Sequence, residues 1–355
     1  MSDASHHPSP LDLSQLRQRL ADKLWHTLFG FGEDQPLLAP WRLRDRSRNP
    51  AGVREAELAA IQVMLDDLDD LHLGRKVFNH HGEIVPAPED DSAVLLNPLI
   101  EQVAEDPLMA LCVPGTADAL RSVRLEADIR ALRHSLNVRR TALRADLLIE
   151  NCDLELVSER AVDADWLLRW QAAAAQAVAT DFQDMWARVL IDEVRLPGSH
   201  SLRTLVFLST VSRNDMNIIR FMTRLDLGGF ICRDVAGYFQ EEIHAPMFSA
   251  MEAMGLLQCD VPPVVLKSAV RRGFRAVLRC QDKALYIEGE GRELKLGASL
   301  FTALGREVNG LFVNMPDTAY LFALGNELKR RGYRIDIGDW ATSGGSGLFS
   351  EKLSL

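Results

Sequence analysis

Most of the signatures by which enzymes and exported proteins are recognised are missing from this chain of 355 residues. There are only five cysteines, Cys112, Cys152, Cys232, Cys259 and Cys280, and no two form a Cys-x-x-Cys pair. The common zinc and redox spacings are thereby excluded, and an odd count leaves no complete disulfide framework, so these residues read as reduced thiols, mostly in a core. No stretch approaches the roughly 20 apolar residues that span a bilayer. The first residues, MSDASHHPSP, have neither the basic end nor the apolar run of a signal peptide. The expectation is a cytoplasmic protein with no membrane partner. Phosphate-binding glycine loops, dinucleotide fingerprints and nucleophile elbows are also missing. No catalytic residue, cofactor site or metal site is assigned, and the reading leans away from an enzyme.

What is present describes an ordinary folded protein: 47% of residues are hydrophobic and 25% charged. The length is enough for two or three domains. A net charge of −10 repels a phosphate backbone, so nucleic acid is not the default partner unless basic residues are strongly segregated.

The periodicity predicts a mainly α fold. It has a long helical hairpin and a compact helical module, followed by a small α+β, winged-helix-like C-terminal domain. Residues 1–50 read as an N-terminal helix, with Leu13, Leu16, Leu20, Leu24 and Leu28 on one face, and a connector. Residues 51–160 read as the hairpin with a loop-rich insert over 79–118. Its first arm places Leu58, Ile61, Leu65, Leu68 and His72 along a seam. Its second arm, 117–150, repeats Leu125, Ile129, Leu132, Leu136, Leu143 and Leu147. Arg139 or Arg140 falls at the seam position between Leu136 and Leu143, where a basic residue weakens the seam or pairs with an acid on the partner helix. The two arms are expected to pair antiparallel, with the acids Asp66, Asp67, Asp69 and Asp70 complementing seven arginines between Arg121 and Arg144.

Residues 161–226 read as three or four short helices, with Trp166 and Trp170 on one face, Trp186 and Leu190 on the next, and a stop at Pro197-Gly198. Ser199 or Ser201 is the expected cap of the following helix, and Ser212 with Asp215 forms a capping box for the one after. Residues 227–340 alternate as strands over Phe274–Cys280, 284–287 and 333–337, with helices near 300–311 and 317–331. Residues 341–355 read as a flexible tail.

The stretch Trp166, Arg169, Trp170, then Trp186-Ala187-Arg188-Val189-Leu190 with Glu193, then Pro197-Gly198-Ser199-His200-Ser201-Leu202-Arg203-Thr204-Leu205 resembles an uncharacterised bacterial domain-of-unknown-function family. That family is distantly similar to the abortive-infection alpha proteins. Leu300 to Val308 is similar to the T-x-x-G-x-E-L phrase that follows a hairpin in several such proteins. The resemblance implies no known activity and makes phage defence the natural setting. The residues themselves read as a folding signature: Trp186 and Leu190 bury an apolar face, the Pro-Gly corner ends the helix, and Glu193 accepts amides of the next helix or pairs with Arg203.

Several candidate sites carry simpler readings. Asp317 with Glu327 and Lys329 has the residue order of a restriction-type nuclease, but Leu321, Leu324 and Leu328 put the interval on one helix capped by Asp317. The paired aspartates of 66–70 read as a solvated face, and His80, His81 and Glu83, or Glu241, Glu242 and His244, lack further ligands at metal spacing. The strongest surface feature is basic. Lys267, Arg271, Arg272, Arg275, Arg279 and Lys283 stand against a single acid, Asp282, beside the expected hairpin. That is either a strand edge guarded by charge or a nucleic-acid surface. The leading expectation is therefore a non-enzymatic sensor or scaffold that binds a protein partner or itself. A nucleic-acid-binding regulator is the alternative, and an enzyme of unrecognised type comes third.

Overall fold

The computed structural model describes residues 10–29, 50–79, 83–87, 116–150, 156–312, 315–343 and 346–354. The chain divides into two compact units, one holding Leu11–Gly198 and the other Ser199–Leu355. The division falls at the Pro197-Gly198 corner, so the stretch expected as one module over 161–226 contributes two helices to each unit.

In the first unit, helix α1 spans Pro10–Phe29, α2 Pro50–His72, α3 Thr116–Ile149, α4 Ala164–Gln176 and α5 Thr180–Arg195. The 34 residues of α3 make a rod about 51 Å long. It packs against α2, α4 and α5. The α2–α3 contact is antiparallel, as expected. Arg54 near the start of α2 reaches Asp146 and Glu150 near the end of α3, while Met64, Leu68 and Leu71 further along α2 join Leu132 and Leu136 in one apolar cluster.

The face of α2 that is buried differs from the expected seam. Glu57, Ala60, Met64, Asp67, Leu68 and Leu71 are buried, whereas Leu58 is 55% exposed. The helix is rotated by about one residue, or roughly 100°. The cause is that two core positions are acidic, which an apolar count passes over. Glu57 accepts from Nη1 of Arg139 at 2.7 and 2.5 Å, and Arg139 is only 1% exposed. Asp67, which reads as solvated in the sequence, is 3% exposed and pairs with Lys76 at 2.9 Å. Asp70 holds Lys76 and Arg75. Asp67 and Asp70 thus secure the strand that follows α2, and among the described residues no ion pair joins the aspartates of 66–70 to the arginines of α3. That strand, β1 (Lys76–Phe78), pairs antiparallel with β2 (Ile84–Pro86), whose Ile84 joins the apolar cluster. His80 and His81, and the rest of the loop-rich insert apart from Asn79, 83–87 and the start of α3, lie outside the described residues.

Helices α4 and α5 form as their spacing requires. Asp163 caps α4 by accepting from the Trp166 amide at 2.9 Å, and Gln183 donates to the carbonyl of Ala177 to close the turn between the two helices. Lys23 of α1 donates to the carbonyls of Ser158 and Val194 at 2.7 and 2.5 Å, meeting the free end of α5. Burial there lowers the Lys23 pKa against the pull of Glu159 and Glu193.

The second unit begins with α6 (Leu202–Thr210) and α7 (Arg213–Thr223). Ser201 caps α6, and Ser212 with Asp215 makes a full capping box on α7. Strand β3 (Phe230–Cys232), helix α8 (Glu241–Ala253) and β4 (Leu257–Gln258) follow. Then come β5 (Val264–Lys267), β6 (Phe274–Cys280), β7 (Lys283–Gly289), β8 (Glu293–Leu296) and β9 (Ala298–Phe301). Helices α9 (Ala303–Gly310) and α10 (Thr318–Arg330) precede β10 (Arg334–Ser343) and β11 (Ser346–Ser354). The sheets run β3-β9-β4, β5-β8 and β11-β10-β7-β6. Tyr320 of α10 pins β3, its hydroxyl accepting from the Cys232 amide at 2.8 Å and donating to the Cys232 carbonyl.

The expected hairpin is present, with Cys280 opposite Lys283 across the two-residue turn Gln281-Asp282. The expected tail is not a tail. β10 continues through Ser343, and Ser346–Ser354 returns beside it as the outer strand β11. Gly and Ser mark the turn, but a strand of this composition is specified by the backbone groups of the edge it joins, which composition does not display. No helix among the described residues is long and apolar enough to cross a membrane.

The Glu57–Arg139 pair generates a first prediction. Removing one partner strands a buried charge, so Glu57→Ala should lower the unfolding free energy by about 3–5 kcal/mol. The apolar double substitution Glu57→Leu with Arg139→Met should recover most of it. Urea denaturation of the three proteins measures both.

Candidate interaction surface

The motif residues are distributed between framework roles. Trp166, Trp170 and Trp186 are all buried, and the Trp170 indole donates to the Trp186 carbonyl at 2.9 Å, tying α4 to α5. Pro197 is buried and Gly198 adopts φ +96°, a left-handed corner that suits glycine. Glu193, itself buried, accepts from the Gly198 amide at 2.6 Å, so the acceptor expected to serve the next helix holds the corner itself. The Thr204 amide in the first turn of α6 is met locally by the Ser201 hydroxyl, and Arg203 is exposed on that helix.

Within the second unit the later phrase explains itself. Thr302 caps α9 by accepting from the Gly305 amide, and donates to the Gly255 carbonyl. A Cβ on Gly305 would lie 2.1 Å from the Leu256 carbonyl oxygen, so only glycine permits this approach. Glu307 then accepts from the Ser201 amide at 2.9 Å and from the Thr204 hydroxyl, joining α9 to the first turn of α6. Burial pushes the Glu307 carboxyl up, but the hydrogen bonds from Thr204 and Ser201 outweigh it and hold the carboxyl below its usual value. Threonine, glycine and glutamate at this spacing form a clamp.

The basic residues lie along the excursion between β4 and β9. On β6, Phe274, Leu278 and Cys280 face the buried side, with Leu285, Ile287, Ile335 and Ile337 of the neighbouring strands, and α10 covers β10. Arg275, Val277 and Arg279 alternate onto the other face. They share it with Tyr286 and Glu288 of β7 and Arg334 of β10. The fold brings acids to three of the six bases. Arg275 pairs with Glu288 at 2.7 Å, Lys283 with Asp339, and Lys267 stands opposite Glu293 in the β5–β8 register. Arg279 lies over the Trp340 ring, 5.7 Å from its centroid. The Trp340 indole nitrogen is buried without a hydrogen-bond partner among the described residues. Arg271 and Arg272 are exposed in the loop before β6. The segment that is +5 in sequence therefore becomes a mixed surface of arginine, aromatic and acidic groups.

The other candidates have local explanations. Asp317 caps α10 and accepts from the Tyr320 amide at 3.0 Å, with Glu327 and Lys329 on the same helix. His244 Nδ1 accepts from the Gln240 amide at the start of α8. Among the described residues no three of His, Cys, Asp and Glu are grouped so as to hold a metal ion. Burial pushes the thiols of Cys232 and Cys280 from 9.0 to about 12, which keeps them protonated and unreactive near neutral pH.

Residues 142–228 match the family described as Protein of unknown function (DUF2806). The DUF2806 region runs from the last turns of α3 through α7, and it ends before the sheet that carries the basic residues. No curated protein and no solved structure matches the chain. The sequence reading missed Trp340, Tyr286 and Arg334. Glu288 was recoverable, since the two-residue turn at 281–282 sets it opposite Arg275.

Two outcomes are expected. Trp186→Ala should cost about 3–5 kcal/mol of stability, whereas Arg271→Ala should change it by less than about 0.5 kcal/mol; thermal unfolding followed by circular dichroism checks both. Glu307, with its carboxyl held low, contributes stability that is present above the unfolded value of 4.5 and lost as the pH falls through the folded one. The stability gap between wild type and Glu307→Gln should accordingly be largest near neutrality and shrink below pH 4.5.

Proposed function

We propose that this protein is a non-enzymatic sensor or scaffold that binds a protein partner, and that the outer face of the C-terminal sheet is its contact surface. The observation that supports this reading is the alternation of Arg275, Val277 and Arg279 beside Tyr286, Arg334 and Trp340. Arginine with aromatic residues is the composition enriched in protein interfaces and their hot spots. A surface built for phosphate leaves its cations uncommitted, whereas Arg275 and Lys283 are engaged by Glu288 and Asp339. The setting is a bacterial cytoplasm and phage defence, resting on the resemblance carried by the tryptophan and Pro-Gly stretch. Contacts through the long helical hairpin belong to the same reading.

A second reading has one observation in its favour. The order α7, β3, α8, β4, a β excursion and β9, with the strands arranged β3-β9-β4, supports a winged-helix-like arrangement in which β5–β8 occupy the wing. A nucleic-acid-binding regulator would use Arg271 and Arg272 at the tip of such an excursion.

Fluorescence anisotropy with labelled duplex DNA and single-stranded RNA separates the two. A protein-binding surface should give no retention at 50 mM salt. Binding that weakens steeply between 50 and 200 mM salt, by about 10³-fold or more for six or more phosphate contacts, would establish the regulator instead.

A further inference from the structure

The outer edge of the four-stranded sheet is β6, which pairs with β7 on one side only. In an antiparallel pair, alternate residues direct their amide and carbonyl toward the partner and the others direct them away. Cys280 and Lys283 close the two-residue turn, so Cys280, Leu278, Ala276 and Phe274 bond to β7 and Arg275, Val277 and Arg279 point outward. The outward groups of Arg275 are taken: its carbonyl accepts from the Ala269 amide at 2.9 Å, and its amide donates to the Ser268 hydroxyl at 3.2 Å. The loop 268–273 thus closes one end of the edge. For Val277 and Arg279 no hydrogen-bond partner on that side is found among the described residues. Val277 is 40% exposed, and Arg279 is exposed as well.

We infer that this open edge accepts an extended acidic segment of a partner protein as a further strand, with an apolar residue opposite Val277 and a carboxylate opposite Arg279. The inference rests on reading the neighbouring face as a protein contact and names the class of partner. Backbone pairing supplies the attachment, and the alternate side chains supply the selectivity. Exposed Arg271 and Arg272 stand on the loop that closes the edge and favour further acids at that end of the segment. Charge also argues against a second copy of this chain. Antiparallel pairing of two β6 strands with Val277 opposite Val277 sets Arg275 of one copy against Arg279 of the other, and like charges directly opposite are destabilising.

The test uses the full chain and two short labelled peptides, one alternating glutamate, threonine and valine, the other with lysine in place of each glutamate. The glutamate peptide should bind saturably and the lysine peptide at least about tenfold more weakly, and Arg279→Glu should reverse that preference. Val277→Pro removes an outward amide and no bond to β7, and should weaken binding roughly five- to tenfold. Hydrogen exchange of the 274–280 segment in the wild-type protein, which needs no variant to fold, should slow when the glutamate peptide is added. Equal binding of both peptides, or no binding, would sink the proposal. Binding unaffected by Val277→Pro with unchanged exchange would place the peptide on the sheet face, overturning the edge but not the protein-contact reading. A dimer in sedimentation that Val277→Pro abolishes would make a second copy the occupant, and displacement of the peptide by duplex DNA would overturn both readings.

Discussion

The guanidinium of Arg139 sits inside a helix about 51 Å long, almost wholly shielded from water, and the Glu57 carboxylate is what makes that position tenable. A charge so placed cannot be left without a partner, so α2 can meet α3 only in the rotation and register that bring Glu57 to it. Once they are met, Met64, Leu68 and Leu71 fall beside Leu132 and Leu136, and Asp146 receives both Arg54 and the Trp25 indole. Apolar residues slide past one another at little cost, whereas this pair admits one alignment. The register of the first unit therefore depends on a polar contact inside an otherwise apolar seam, a role for which single buried polar residues in helical assemblies are well suited.

The second unit relies on a different device. Thr302, Gly305 and Glu307 lie within a span of six residues and reach three places: the Gly255 carbonyl, the Leu256 backbone and the first turn of α6. Each contact is short-ranged, and together they set α9 against β4 and α6. The sheet β11-β10-β7-β6 is held by burial of one face and by backbone pairing; on the other face Ala284 and Asp336 are buried, while Arg275, Val277 and Arg279 of the β6 edge are exposed.

Charge shows most directly how folding alters a property that looks settled in the chain. Over Val265–Lys283 the bases outnumber the acids six to one, which suggests a phosphate-binding strip. Glu288, Glu293 and Asp339 are brought beside them by strands β7, β8 and β10. A local charge count holds only for residues whose neighbours in space are their neighbours in sequence, and a sheet breaks that condition at every cross-strand pair. The same reasoning explains Asp67, which reads as solvated beside other aspartates and is buried against Lys76 once the chain reverses into β1.

Helices and their ends were legible because their causes are local. Leucine spacing, the Ser201, Ser212 and Asp317 caps, and the Pro197-Gly198 stop all act within a few residues. The hairpin over 274–289 was legible for the same reason. The face of α2 that turns inward, the pairing of Arg139 with Glu57, the strand formed by Ser346–Ser354 and the partial neutralisation of the basic strip were not. Each depends on groups far apart in the chain, whose energies are set only when packing brings them together and removes the water between them.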